Sequence, residues 1–166
     1  MYFSDDTLDL AEAVVTAARN GGITLATAES CTGGLIAGAI TEVSGASHVF
    51  MRGFVTYANE AKTEILGVDA KAIERSGAVS EDVARAMAEG AVRAADVGAA
   101  VAVTGIAGPG GGSPEKPVGL VHIAASRAGA ATLHERHVFP GNRATVRAQA
   151  VAAALRLLLR ALGETA

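Results

Sequence analysis

The hydrophobic period changes between residues 23 and 43, and this change restricts the fold more than any other feature of the chain. Residues 23–28 (ITLATA) form a short apolar run after the Gly21-Gly22 break and read as a strand. Leu35, Ile36, Ala39, Ile40 and Val43 then recur at the spacing of one helix face. The join is TAESCTGG at 27–34, so a strand passes into a helix through a turn that carries a hydroxyl, Ser30, beside a thiol, Cys31. Free amides at a helix N-terminus favour negative charge, so a phosphate, a thiolate or a developing oxyanion would be stabilised there. The same residues have a plainer use: Ser30 or Thr32 can cap the helix while Gly33 and Gly34 keep the turn tight.

The remaining pattern builds layers around that unit. Residues 5–20 place Leu8, Ala11, Val14, Val15 and Ala18 on one helix face. HVFMRGFVTYA at 48–58 reads as a long strand with a bulge or bend at Gly53. A helical turn then starts at Asn59 and stops at Gly67, and 70–75 is a further short helix. Ser80 is an N-cap, with Glu81 and Asp82 in the first turn of a helix reaching Ala95 and turning Val83, Met87 and Val92 inward. AAVAV at 99–103 is the run of a strand covered on both faces. Segments 120–126 and 131–139 read as two antiparallel strands joined by a turn at 128–130, and Gly141-Asn142-Arg143 leads into a closing helix. With only four Phe, two Tyr and no Trp, the core must be built from small aliphatic residues, which suits helices lying flat on a sheet. The expectation is one domain over 1–166, an α/β fold in three α/β/α layers around a mixed, mostly parallel sheet of about five strands.

Charge and cysteine content narrow the partners. A net charge of −3, with no dense Lys/Arg stripe, argues against a nucleic-acid partner. Cys31 is the only cysteine, which rules out an intramolecular disulfide and makes a reducing cytoplasm the expected compartment. The start, MYFSDDTLDL, is acidic and unlike a secretory signal; the most apolar stretch, 148–162, is too short to span a bilayer and carries Arg156 and Arg160. No membrane partner is expected.

Four places could carry chemistry. Beside the Ser30 turn, Tyr57 and Lys62 fall where a strand passes into a helix and both can reach one sheet edge. Lys62 reads either as a solvated helix residue or as a lysine that loses water beside a serine and becomes a general base. The glycine-rich loop after the buried run, with Gly105, Gly110, Gly111 and Gly112, lies where open α/β sheets bind ligands, yet it matches neither GxGxxG nor a P-loop. It is either a phosphate cradle or a flexible loop. Arg143, near a helix start, can grip a phosphate or carboxylate, or pair with a surface acid. His134 and His137 point to opposite strand faces, and His122 and His48 stand isolated, so no metal site is expected.

Taken together, TAESCTGG at 27–34, VTYANEAKTEILGV at 55–68, GAVSEDVARAMAEG at 77–90, TGIAGPGGGSPEKPVG at 104–119 and GNR at 141–143 resemble the CinA C-terminal domain family of bacterial nicotinamide-nucleotide amidases. The resemblance implies a three-layer fold, a homodimer, and hydrolysis of the carboxamide of nicotinamide mononucleotide with release of ammonia, without a cofactor or metal. On matching positions it implies Ser30 as nucleophile, Lys62 as base and Tyr57 as an orienting residue. Backbone amides near Cys31 and Thr32 would form an oxyanion hole, Gly33 would be substrate-binding, and Thr104 and Gly105 would line the pocket. The glycine loop and Arg143 would take the nucleotide phosphate. A nucleotide-binding module without catalysis, and an amidase of another small carboxamide, are the alternatives. Longer CinA proteins carry an N-terminal domain linked to ADP-ribose pyrophosphatase activity; 166 residues leave no room for it, so that activity is expected to be absent.

Overall fold

Ser4 accepts the Thr7 amide and starts α1 (Asp5–Gly21), which Gly22 ends in the left-handed conformation. The computed structural model describes residues 3–164. After α1 come β1 (Leu25–Glu29), α2 (Leu35–Thr41), a 3-10 turn at Ala46–His48, β2 (Phe50–Val55), α3 (Asn59–Leu66), α4 (Ala70–Ser76) and α5 (Glu81–Ala95). β3 (Ala99–Gly105), β4 (Leu120–Arg127), β5 (Leu133–Val138) and α6 (Arg143–Ala161) complete the chain. Ser80 caps α5 as its sequence position implies, accepting from the Val83 amide.

The sheet order is β2-β1-β3-β4-β5. β1 pairs in parallel with both β2 and β3, whereas β3–β4 and β4–β5 are antiparallel. Four strands therefore run one way and β4 alone reverses, although the pairings divide evenly instead of being mostly parallel. The strand expected over 48–58 is shorter because its first residues fold into the 3-10 turn behind Gly45. Nor does Gly53 mark the bulge. Leu25 pairs with Phe50 and Ala26 with Arg52, so the extra residue is Met51. Gly53 is where α2 presses on the strand: a Cβ there would lie 3.0 Å from the Ala37 side chain.

The two faces of the sheet are packed differently. Leu25, Val101, Val103, Val121 and Ile123 face α1, α2 and α6. On the other face Ala26, Ala28, Ala100, Ala102 and Ala124 make a shallow floor, which lets α5 settle with Ala84, Met87, Ala88 and Ala91 fully buried. The chain leaves β1 for β2 on one side and returns past β1 to β3 on the other. Such a reversal opens a crevice at the carboxyl ends of the strands.

Candidate active site

β1 ends in the crevice, and its pleat decides what lies there. Successive side chains of a strand point to opposite faces, so Glu29 and Ser30 part company. Glu29 turns toward α2 and is fully buried, its carboxylate accepting from the amides of Ile36 (2.8 Å) and Ala37 (3.0 Å) and from the Thr27 hydroxyl (3.4 Å). Neither Ser30 nor Thr32 caps this helix. α2 begins only at Leu35, behind a left-handed Gly34, and the buried carboxylate already satisfies its N-terminus.

Ser30 is fixed by its own backbone. Its amide donates to Val103 O (3.0 Å), and Gly33 N–H donates back to Ser30 O (3.1 Å). Among the described residues the amides of Cys31 and Thr32 find no acceptor. On the opposite side of the turn from α6, α3 carries Lys62, 1% exposed. Lys62 Nζ lies 3.2 Å from Ser30 Oγ, 2.8 Å from Thr56 O and 3.2 Å from Tyr57 O. No carboxylate pairs with it among the described residues. Burial holds its pKa below the ordinary lysine value. Its Nζ donates to the serine hydroxyl and to both carbonyl oxygens, which engages all three N–H groups of an ammonium; loss of one proton would turn a lone pair on one of these oxygens.

Cys31 is built for the opposite behaviour. Burial pushes its thiol up to about 11, so it stays protonated and a poor nucleophile at neutral pH. Thr32 and Thr56 are fully buried beside the pair, and neither hydroxyl has a partner among the described residues.

The other candidates fall at different distances from this pair. Tyr57 contributes its carbonyl to Lys62, while its exposed ring sends the hydroxyl to Arg143, whose Nη2 donates to it at 3.2 Å. Arg143 Nη1 also donates to Gly108 O (2.9 Å), so the arginine joins the glycine loop to the β2–α3 link that carries Tyr57. Thr104 is buried and spends its hydroxyl on Ala78 O (2.9 Å), which ties the end of β3 to the α4–α5 link. Gly105 sits at the close of β3 against β4. Gly110, Gly111 and Gly112 are exposed, and no hydrogen bond joins them to Ser30 or Lys62 among the described residues.

His122 is not isolated. Its Nδ1 lies 3.0 Å from Nε2 of His134, and His134 Nδ1 lies 3.6 Å from the Glu81 carboxylate. The two imidazoles sit diagonally across β4 and β5, a pairing that positions twelve residues apart do not advertise. His137 does face away from His134, bonding Glu135 at 2.8 Å. No group of three or more His, Cys, Asp or Glu is placed to hold a metal among the described residues.

Two residues of the site went unread in the sequence. Glu29 looks like an ordinary acid at a strand end. Arg147, one turn beyond Arg143 on α6, donates from Nε to Cys31 O (3.1 Å) and from Nη2 to Thr32 O (3.1 Å). The i, i+4 spacing of the two arginines was the available signal.

Fold and site together define a three-layer α/β protein with a half-buried serine beside a buried lysine at the carboxyl edge of its sheet. The chain belongs to the CinA C-terminal domain family, whose model matches residues 7–162. It is 49% identical to the nicotinamide-nucleotide amidohydrolase PncC of Escherichia coli K12, over 91% of this chain and 92% of that protein. A CinA-like protein of Geobacter sulfurreducens is 53% identical over 95% of this chain and 38% of that protein. The chain thus covers well under half the length of that relative. The crystal structure of the competence/damage inducible protein CihA from Agrobacterium tumefaciens superposes with a TM-score of 0.94 at 48% identity, covering 98% of both chains. No helix among the described residues is long and apolar enough to cross a membrane.

Proposed function

We propose that this chain is an amidohydrolase that converts nicotinamide mononucleotide to nicotinate mononucleotide and ammonia, a step of pyridine nucleotide salvage, with Ser30 as nucleophile and Lys62 as its base. The observation that carries the reading is the 3.2 Å approach of Lys62 Nζ, buried and without a salt bridge among the described residues, to the half-buried Ser30 Oγ. The substrate rests on the similarity to the E. coli protein that bears that name.

In this reading Ser30 Oγ attacks the carboxamide carbon as its proton passes to Lys62 Nζ. The C–O bond forms, and the carbonyl electrons move onto oxygen, where the unpaired amides of Cys31 and Thr32 receive them. Collapse breaks the C–N bond, and Lys62 returns its proton to the departing ammonia. Lys62 then takes a proton from water, whose oxygen attacks the ester carbon; the C–Oγ bond breaks as Lys62 hands that proton to Ser30 Oγ, and the acid leaves as its carboxylate, its own proton passing to solvent. Thr56 O and Tyr57 O hold the amine on line throughout. Arg143, with two of its five donors engaged, keeps three for the nucleotide phosphate. The enzyme works in the cytoplasm as a homodimer in the same reading, and the exposed Met51 and Val55 of the β2 edge support self-association.

The test is ammonia release from the mononucleotide by purified protein. Wild type and Cys31→Ala should turn over at similar rates, while Ser30→Ala should lose about a thousandfold or more in kcat. Normal turnover by Ser30→Ala would remove the hydroxyl from the mechanism.

A further inference from the structure

We infer that Arg147 is a positioning residue for the oxyanion: by holding two consecutive carbonyls of the Ser30 turn, it aims the Thr32 amide at the developing charge. The inference rests on the serine–lysine reading above and extends it to a residue on the opposite face of the sheet.

The geometry is that of a fork on a ladder. Arg147 Nε donates to Cys31 O and Nη2 to Thr32 O, both at 3.1 Å. In a trans peptide the C=O and the following N–H point in opposite directions. Fixing Cys31 O toward α6 therefore turns Thr32 N–H away from α6, to the side where Lys62 approaches Ser30 Oγ. Fixing Thr32 O does the same for Gly33 N–H, which is already consumed by Ser30 O. Thr32 N–H is left directed and without an acceptor among the described residues. These are the two properties an oxyanion donor needs before substrate arrives.

The choice of arginine follows. A planar guanidinium presents fixed parallel donors, so one side chain can hold two carbonyls at set angles, whereas an ammonium is a single rotating point. No carboxylate pairs with Arg147 among the described residues, so the full charge also remains beside the turn. Glu29 secures the far end of the same segment through the Ile36 and Ala37 amides. The turn is thus clamped by a cation on its carbonyls and an anion on its amides.

Phosphonylation of Ser30 by a fluorophosphonate probe, read by mass spectrometry, tests the inference without depending on the natural substrate. The serine oxygen bonds to phosphorus as its proton passes to Lys62 and the P–F bond breaks to release fluoride, and the phosphoryl oxygen needs the same donors as a carboxamide oxyanion. Arg147→Ala should slow labelling by about a hundredfold, the loss expected for one disordered oxyanion donor. Arg147→Lys should recover less than a tenth of the wild-type rate. Melting temperatures measured on both variants separate misfolding from mispositioning, and Arg147→Lys carries the test if the alanine variant does not fold. Ammonia release, run in parallel, should lose kcat with KM held within threefold, because the oxyanion forms only after binding. Labelling of a folded Arg147 variant at the wild-type rate overturns the role of Arg147 alone. Normal labelling of wild type without ammonia release overturns the substrate, and the variants still judge Arg147. A wild-type Ser30 that never labels overturns the nucleophile and this inference together.

Discussion

Lys62 is stripped of water, pairs with no carboxylate among the described residues, and holds its Nζ 3.2 Å from Ser30 Oγ. In the proposed mechanism only the neutral amine can take the serine proton, and burial lowers the pKa at which that form appears. The kcat/KM profile should therefore rise with pH and flatten above an inflection lying below the ordinary lysine range. An inflection at or above 10.5 would mean that the amine stays solvated. Glu29 gives a second test. Replacing it by alanine orphans the Ile36 and Ala37 amides inside the protein, which should cost about 3 kcal/mol. By calorimetry the melting temperature should fall by roughly 10 °C, and a fall under 2 °C would show that water replaces the carboxylate. Side-chain type and position marked Ser30 and Lys62 as candidates but left a helix cap and a solvated lysine open; their pairing was implied only by the family resemblance. Glu29 and Arg147 were not marked, because their partners are backbone groups of a turn whose course no residue pattern spells out.

At the level of elements, the position of Lys62 depends on how α3 meets α5. Gly90 lies where α5 crosses the end of α3, and a Cβ there would stand 2.0 Å from Leu66 O. Leu66 is buried in the same cluster as α5, one helical turn beyond Lys62. Gly90→Ala must push α3 outward and should destabilise the protein by about 3 kcal/mol, at the upper end of overpacking costs. It should also lower kcat more than tenfold, measurable beside a denaturant titration. A variant as stable and active as wild type would show that the helices yield freely. Helix boundaries were readable because α5 announces itself with Ser80 and α3 with its Gly67 stop. The bulge at Met51 was not, since it answers the pairing of β2 with β1, a contact between strands and not a property of either.

The whole molecule balances two unlike layers, and a histidine pair joins β4 and β5 to the start of α5. Burial, with the neighbouring His134, Arg136 and Lys116, lowers the His122 pKa to about 4, while Glu81 opposes the shift. His134 is lowered as well, chiefly by burial. Above pH 6.5 both states of the chain hold these imidazoles neutral. Between 6.5 and about 4 the unfolded chain binds protons that the native one refuses, so stability falls as pH falls. Thermal melts from pH 7 to 5 should show that loss, and His122→Asn should flatten it. An unchanged slope in the variant would assign the acid sensitivity elsewhere. The layer count and the buried central strand were legible from AAVAV and the helix spacings around it. Strand order was not, because the return of the chain past β1 is decided by which faces the helices cover.

One consequence follows from the parting of residues 29 and 30 at the end of β1. Pleat parity is digital: sliding that strand by a single position would offer the carboxylate to the amine and seal the alcohol beneath α2. Substitutions around this strand can grade the activity, but an insertion or deletion of one residue within it can only abolish it. The same arithmetic means that a change of two residues would restore the phase, a rule that deletion variants can check directly.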